Sequence, residues 1–174
     1  NKIYTFNRKT FGKLMATYRA PVDDMMFLFE KLRDNSHYNS LEKYKEVNLD
    51  LAKDILEQAA KLTENLILPL AKAGDETPAK LENGVVRTPP GYKEAYKKFI
   101  DDGWVSLSCD PEYGGQGMPK TISSFFDEML SATSLSFKLY SELSIGAYNC
   151  IHRHGDDLIK KKFLPNMVKG IWSG

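Results

Sequence analysis

The sequence predicts an all-α fold of about six helices with a glycine-rich loop at 111–117. Three observations carry this. Tyr92, Ala95, Tyr96, Phe99 and Ile100 repeat at i, i+3, i+4, i+7 and i+8, with Lys93, Glu94, Lys97, Lys98 and Asp101 on the other face. Leu51, Ala52, Ile55, Leu56, Ala59, Leu62, Leu66 and Ile67 keep the same spacing over a longer run. Between such runs stand Gly, Pro, Asn and Asp, residues that stop or cap helices.

The elements follow in order. Pro21 suits a first helical position, and Asp23 and Asp24 suit the positive end of the dipole of a helix carrying Met25, Phe27, Leu28, Phe29 and Leu32. The polar stretch 35–40 reads as a turn. Asn48 is a good N-cap for the long run, and Pro69 should end or kink that helix near Leu68. A loop is expected over 74–78, and Asn83-Gly84 marks a tight turn of a small hairpin between Leu81 and Val85-Val86. Thr88-Pro89-Pro90 opens the clearest helix, and Gly103 is its expected left-handed stop. Thr121 caps a helix with Ile122, Phe125, Phe126, Met129 and Leu130. A Ser/Thr-rich break follows, then a helix from about Phe137 to His154 that stops at Gly155. Asp156 caps a last helix, which Pro165 should interrupt.

A length of 174 residues fits one domain with an arm, and 42% hydrophobic with 27% charged residues is ordinary for a globular chain. A net charge of +1 offers no field for nucleic acid, and no apolar run approaches the roughly 20 residues of a membrane span. Cys109 and Cys150 read as free thiols of a reducing compartment, which points to the cytoplasm. Residues 1–17 form a basic leader or arm: Lys2, Arg8, Lys9 and Lys13 lie in it and the first acid is Asp23. A plain arm is the favoured reading, and a transit peptide to an organelle matrix is the alternative. Asn1 is not expected as a native start, and Met15 fits the initiator.

Three features invite chemistry. His152 and His154 lie two apart, about 200° around a helix, whereas helical metal pairs prefer i and i+4. They fit better as the positive end of a helix. Gly114, Gly115 and Gly117 suggest a phosphate cradle, but no Gly-Lys-Ser/Thr follows and no strand precedes them. A loop that needs positive φ and close backbone packing is favoured. The large residues Phe137, Leu139, Tyr140, Leu143 and Ile145 have the small neighbours Ser136, Ser141, Ser144, Gly146 and Ala147, which fits either a ligand groove or plain helix packing. No nucleophile–base pair is recognisable.

The stretch Pro111-Glu112-Tyr113-Gly114-Gly115-Gln116-Gly117 resembles the signature of acyl-CoA dehydrogenases. Colinear matches run from Tyr18 to Gly174: Tyr18 to Leu32, Leu68-Pro69-Leu70, Gly74-Asp75, Asn83 to Val86, Thr88 to Lys93, Gly103-Trp104, Gly155-Asp156-Asp157, Lys162 to Pro165 and Gly170 to Gly174. The branch resembled includes enzymes similar to 3-methylmercaptopropionyl-CoA dehydrogenase. The resemblance implies that 18–174 is the N-terminal helical domain of such an enzyme, without its β-domain and C-terminal bundle. It implies FAD as the cofactor of the intact protein and acyl-CoA as substrate. It also implies an electron-transfer flavoprotein-like acceptor and a homodimer or tetramer. The implied reaction takes an α proton to a glutamate and a β hydride to flavin, giving the 2,3-enoyl-CoA. Neither the catalytic base nor the flavin contacts map onto this chain, so it is expected to be inactive alone. Phe137, Tyr140, Ser141, Leu143 and Ser144 are the residues implied for the acyl-chain wall, and Ser144→Phe is the substitution expected to shift chain-length preference. The alternatives are a non-enzymatic helical module that binds an acyl ligand or a partner, and an acyl-CoA oxidase of the same fold.

Overall fold

Each amphipathic run forms a helix whose apolar face turns inward, and the fold is all-α apart from one small hairpin. The computed structural model describes residues 17–32 and 35–173. The leader expected over 1–17, with Met15, lies outside them save for Thr17.

Helix α1, Val22–Lys31, buries Met25 and Phe29 against α3 and carries Asp23 and Asp24 in its first turn. The stretch read as a turn is instead a short helix, α2, Asn35–Ser40. One and a half turns need only local bonds, so a composition too polar for a long helix still permits it. A 3₁₀ turn, Glu42–Tyr44, leads to α3, Leu49–Leu62, capped as expected by Asn48, whose side chain accepts the Leu51 N–H at 2.8 Å.

Pro69 does not end this helix. A widened π turn, Thr63–Ile67, carries α3 into α4, Leu68–Glu76, and the Leu68 N–H reaches back to the Thr63 carbonyl. Widening relieves the clash between the proline ring and the preceding turn, and Pro69 has no N–H to lose. Buried Thr63 sends its hydroxyl to the Ala59 carbonyl at 2.8 Å. The loop expected over 74–78 is also shorter, since α4 continues through Gly74 and Asp75.

The hairpin forms as read: β1, Lys80–Glu82, pairs antiparallel with β2, Val85–Arg87, through Asn83 and Gly84, both at positive φ. Helix α5, Tyr92–Asp101, starts after left-handed Gly91 rather than at Pro89-Pro90, and Gly103 is left-handed as expected. Two 3₁₀ turns, Trp104–Ser106 and Pro111–Tyr113, bracket the approach to the glycine-rich loop.

Helix α6, Lys120–His154, begins one residue before the expected Thr121 cap. The Ser/Thr-rich break shrinks to one residue: Ser134 has φ −159° and ψ 94°. Its hydroxyl accepts the Phe137 N–H at 3.4 Å, so Ser134 acts as an N-cap inside the helix. The break separates a first limb, 120–133, from a second limb, 135–154. Helix α7, Asp157–Val168, is capped by Asp156, which accepts the Ile159 N–H at 2.8 Å. Pro165 lies within α7 without interrupting it; it removes the N–H that would bond the Lys161 carbonyl, and the helix runs on to Val168.

The main core gathers around Phe99, which stacks with Phe126 at 6.0 Å and meets Phe137 edge-on at 5.5 Å. A smaller core of Cys109, Tyr148, Leu164, Met167 and Val168 joins the loop to α7. Ile145 touches both.

Candidate functional site

The second limb of α6 has two faces. Phe137, Ser141, Ser144 and Tyr148, spaced i, i+4, i+7 and i+11, point into the protein and are buried. Leu135, Leu139, Leu143, Gly146 and Cys150 follow an outward stripe, and Leu143 is 64% exposed. The five residues implied for the acyl-chain wall are thus divided. Phe137, Ser141 and Ser144 face the core, whereas Tyr140 and Leu143 are exposed. Leu139 and Gly146, which the sequence places in the same run of large and small residues, are also exposed.

Phe137 and Tyr140 do come together, in an aromatic groove of about 330 Å³ with Tyr92 and Tyr96 of α5. Tyr96 and Tyr140 meet edge-on at 4.9 Å, and the Tyr92 hydroxyl lies 2.9 Å from Ser136 Oγ. Burial raises the pKa of the Tyr96 phenol. Ser141, with Gly146 at the edge of the outward stripe, lines a different space, a cleft of about 390 Å³ between the two limbs. Its floor includes Phe99, Trp104 and Phe126. Lys120, Asp127, Glu142 and Asn149 stand among its walls. Desolvation raises the Asp127 carboxyl, and Lys138, which pairs with Glu142 at 2.8 Å, pulls it the other way.

The glycine-rich loop is held by its own backbone. The N–H of Gly114 donates to the Pro111 carbonyl, that of Gly115 to Asp110, that of Gln116 to Ser106 and that of Gly117 to Cys109. With these donors used internally, none is left aimed outward to cradle a phosphate. Gly114 and Gly117 have positive φ, and a Cβ on Gly115 would sit 2.2 Å from the Cys109 carbonyl oxygen. Both support the packing reading of the loop over the phosphate reading.

His152 does more than finish a helix. Its Nε2 lies 3.3 Å from Asp110 Oδ2, and its ring stacks on Tyr148. Among the described residues no group of three or more His, Cys, Asp or Glu is placed to hold a metal ion. Cys109 and Cys150 are free, as expected. Burial pushes the Cys109 thiol up to about 11, far from a reactive thiolate. Among the described residues no helix is long and apolar enough to cross a membrane.

The family described as Acyl-CoA dehydrogenase, N-terminal domain, matches residues 50–171, most of the chain. The chain belongs to the acyl-CoA dehydrogenase family. It is 40% identical over 158 residues to a 3-methylmercaptopropionyl-CoA dehydrogenase of Ruegeria pomeroyi, covering 91% of this chain and 27% of that one. It is 27% identical over 161 residues to a butyryl-CoA dehydrogenase of Syntrophomonas wolfei, covering 90% and 26%. A broad-specificity linear acyl-CoA dehydrogenase of Mycobacterium tuberculosis is 29% identical over 111 residues, covering 62% and 18%. The chain therefore spans about a quarter or less of the length of these relatives. Acyl-CoA dehydrogenases are FAD-dependent, but the described residues form no site for that cofactor. The loop that comes nearest to a phosphate cradle has no free donor to offer.

Proposed function

We propose that residues 18–174 are the N-terminal helical domain of an FAD-dependent acyl-CoA dehydrogenase, preceded by a basic leader or arm over 1–17. The observation that carries this is the 40% identity to 3-methylmercaptopropionyl-CoA dehydrogenase across 91% of the chain. The intact protein oxidises an acyl-CoA to the 2,3-enoyl-CoA by loss of an α proton and a β hydride, with FAD as hydride acceptor. Its acceptor is an electron-transfer flavoprotein-like protein, and it works as a homodimer or tetramer in the cytoplasm. Catalysis belongs to the intact protein, and the described residues contribute binding and exclusion of water.

Within that reading, the acyl-chain wall is the outward stripe of the second limb. Of the five residues implied by the resemblance, Leu143 is kept at its centre, and Leu139 and Gly146 are added. The support is physical: these positions present exposed apolar or small surface in one line on a regular helix.

The test uses the intact protein. It should purify with flavin absorbance and bleach on addition of acyl-CoA. Gly146→Phe is the probe, because a Cβ there meets nothing within 4 Å. Ser144→Phe is a poor probe, since Ser144 is buried and a ring there would disrupt the core. Gly146→Phe should lower kcat/KM for longer acyl chains by about 10-fold or more and leave the shortest nearly unchanged. Equal effects at every chain length would refute the placement of the wall. A protein without flavin or acyl-CoA turnover would refute the enzyme assignment and favour a non-enzymatic module. Rapid reoxidation of the reduced flavin by oxygen would favour an oxidase.

A further inference from the structure

The β1–β2 hairpin stands off the helices. Every residue of both strands is exposed, and Leu81 and Val86 keep 73% and 62% of their surface in water. A lone two-stranded ribbon is marginal in water, and three or more strands with an apolar face are needed for independent stability. The register fixes how this ribbon is built. Leu81 pairs with Val86, Lys80 with Arg87 and Glu82 with Val85. Side chains alternate along a strand, so Leu81 and Val86 share one face and the other four share the opposite one. In a hairpin with a two-residue turn the pair next to the turn exchanges ladder bonds and the next pair does not. The N–H and C=O of Leu81 therefore point to the unpaired edge of β1.

Short length and charge normally blunt such an edge. Here the charges have opposite signs, Lys80 before Leu81 and Glu82 after it. A second β1 laid antiparallel on this edge, with the two-fold axis at Leu81, sets Lys80 of each copy opposite Glu82 of the other. The same operation on β2, centred on Val86, sets Val85 opposite Arg87 and pairs no charges. Within one hairpin Glu82 lies 3.9 Å from Arg87 Nε, a loose exposed contact that leaves the carboxylate room for a second cation.

We propose that β1 is a self-complementary docking edge, at which two copies of this chain join into one four-stranded antiparallel sheet. At its centre the N–H and C=O of Leu81 in each copy bond those of the other. Across one face Val86, Leu81 and the same two residues of the second copy form a continuous apolar strip. Helices α4 and α5 both lie at the open end of the hairpin, so reversed copies carry their helical bodies to opposite ends of the sheet. The contact is small and weak by itself, one interface of a larger assembly. It rests on the homo-oligomer part of the reading above and is independent of the flavin chemistry.

Disulfide trapping of the intact protein tests it, in a Cys150→Ser background because Cys150 is exposed. Under mild oxidation Leu81→Cys should link two copies through residue 81, read by mass spectrometry on the linked peptide. Residues paired at such a position lie about 5.5 Å apart at Cα, within disulfide reach. Val86→Cys is also exposed but sits one strand further out, about 14 Å from its mate, and should link at least about tenfold less. Charge reversal then checks the register. Lys80→Glu and Glu82→Lys each set like charges opposite one another twice, and each should slow trapping of Leu81→Cys by about fivefold or more. The double reversal should restore it. Equal linking at 81 and 86, or a double reversal no better than the single ones, overturns the proposal. Light scattering and flavin absorbance separate it from the reading on which it rests. A flavin-bearing oligomer that does not link at 81 overturns the β1 contact alone, whereas a monomer overturns the oligomer as well.

Discussion

Alanine at Gly115 asks the loop to hold a methyl group where backbone already stands. The added Cβ would lie 2.2 Å from the Cys109 carbonyl oxygen and 2.3 Å from its carbon, against 3.4–4 Å for ordinary contact. No rotamer change relieves this, because the obstacle is main chain. Moving the two strands of the loop apart strains or breaks the Gly115–Asp110 and Gly117–Cys109 bonds, at 3.0 and 2.9 Å. Two hydrogen bonds at about 1 kcal/mol each, with overpacking of about 1–3 kcal/mol, give about 3–5 kcal/mol of destabilisation. Gly84→Ala is the control. Its φ is +78° but nothing lies within 4 Å of the added Cβ, so only the left-handed backbone cost of about 1–2 kcal/mol applies. Urea unfolding followed by tryptophan fluorescence measures both, since the Trp104 indole packs on Phe126 in the main core. If Gly115→Ala costs no more than Gly84→Ala, the close approach is not what requires glycine here, and the argument fails.

Three further outcomes follow from the packing. Phe99→Ala removes the ring shared by Phe126 and Phe137 and should cost about 3–5 kcal/mol, read as a large fall in the urea midpoint. Asp156→Ala should cost about 1 kcal/mol in thermal unfolding and Asp156→Ser almost nothing, because serine can also accept the Ile159 N–H. A thiol reagent should label exposed Cys150 in the native protein and Cys109 only after unfolding. The Cys109 thiol titrates at about 11 when folded and near 8.5 when unfolded, so its contribution is complete below about pH 8.5 and is lost as pH rises toward 11. The fall in Tm over that alkaline range should be smaller in Cys109→Ala.

Helix positions were legible wherever amphipathic spacing and a cap agreed, as at Asn48, Gly103 and Asp156. The hairpin was legible because Asn-Gly fixes its turn chemistry locally. The proline boundaries were legible in part, since the helix turns irregular just before Pro69 but runs through Pro165. A proline removes one bond and adds one clash, and whether a helix stops there depends on whether the turn before it can widen or the packing around it outweighs that cost. Pro69 has a π turn before it and Pro165 lies in the last turns of α7. Facing within the second limb was harder. Serine and leucine alternate there, and a kink at Ser134 resets which residues point inward, so Ser144 and Leu143 exchanged the roles that composition suggests. The contact of His152 with Asp110 joins residues 42 positions apart, counting from 110 to 152, and no local pattern announces it.

The π turn at Thr63–Ile67 has a consequence for how this rod tolerates change in length. Such a turn holds one residue more than an α turn, so everything beyond it is rotated by about 100° relative to a plain helix. Deleting one residue from 63–67 would leave an unbroken helix of excellent local geometry and swing Leu70 away from the core it now fills. Inserting one would overshoot in the opposite sense. The irregular turn sets the angular phase between α3 and α4, and a more perfect helix would be the wrong one.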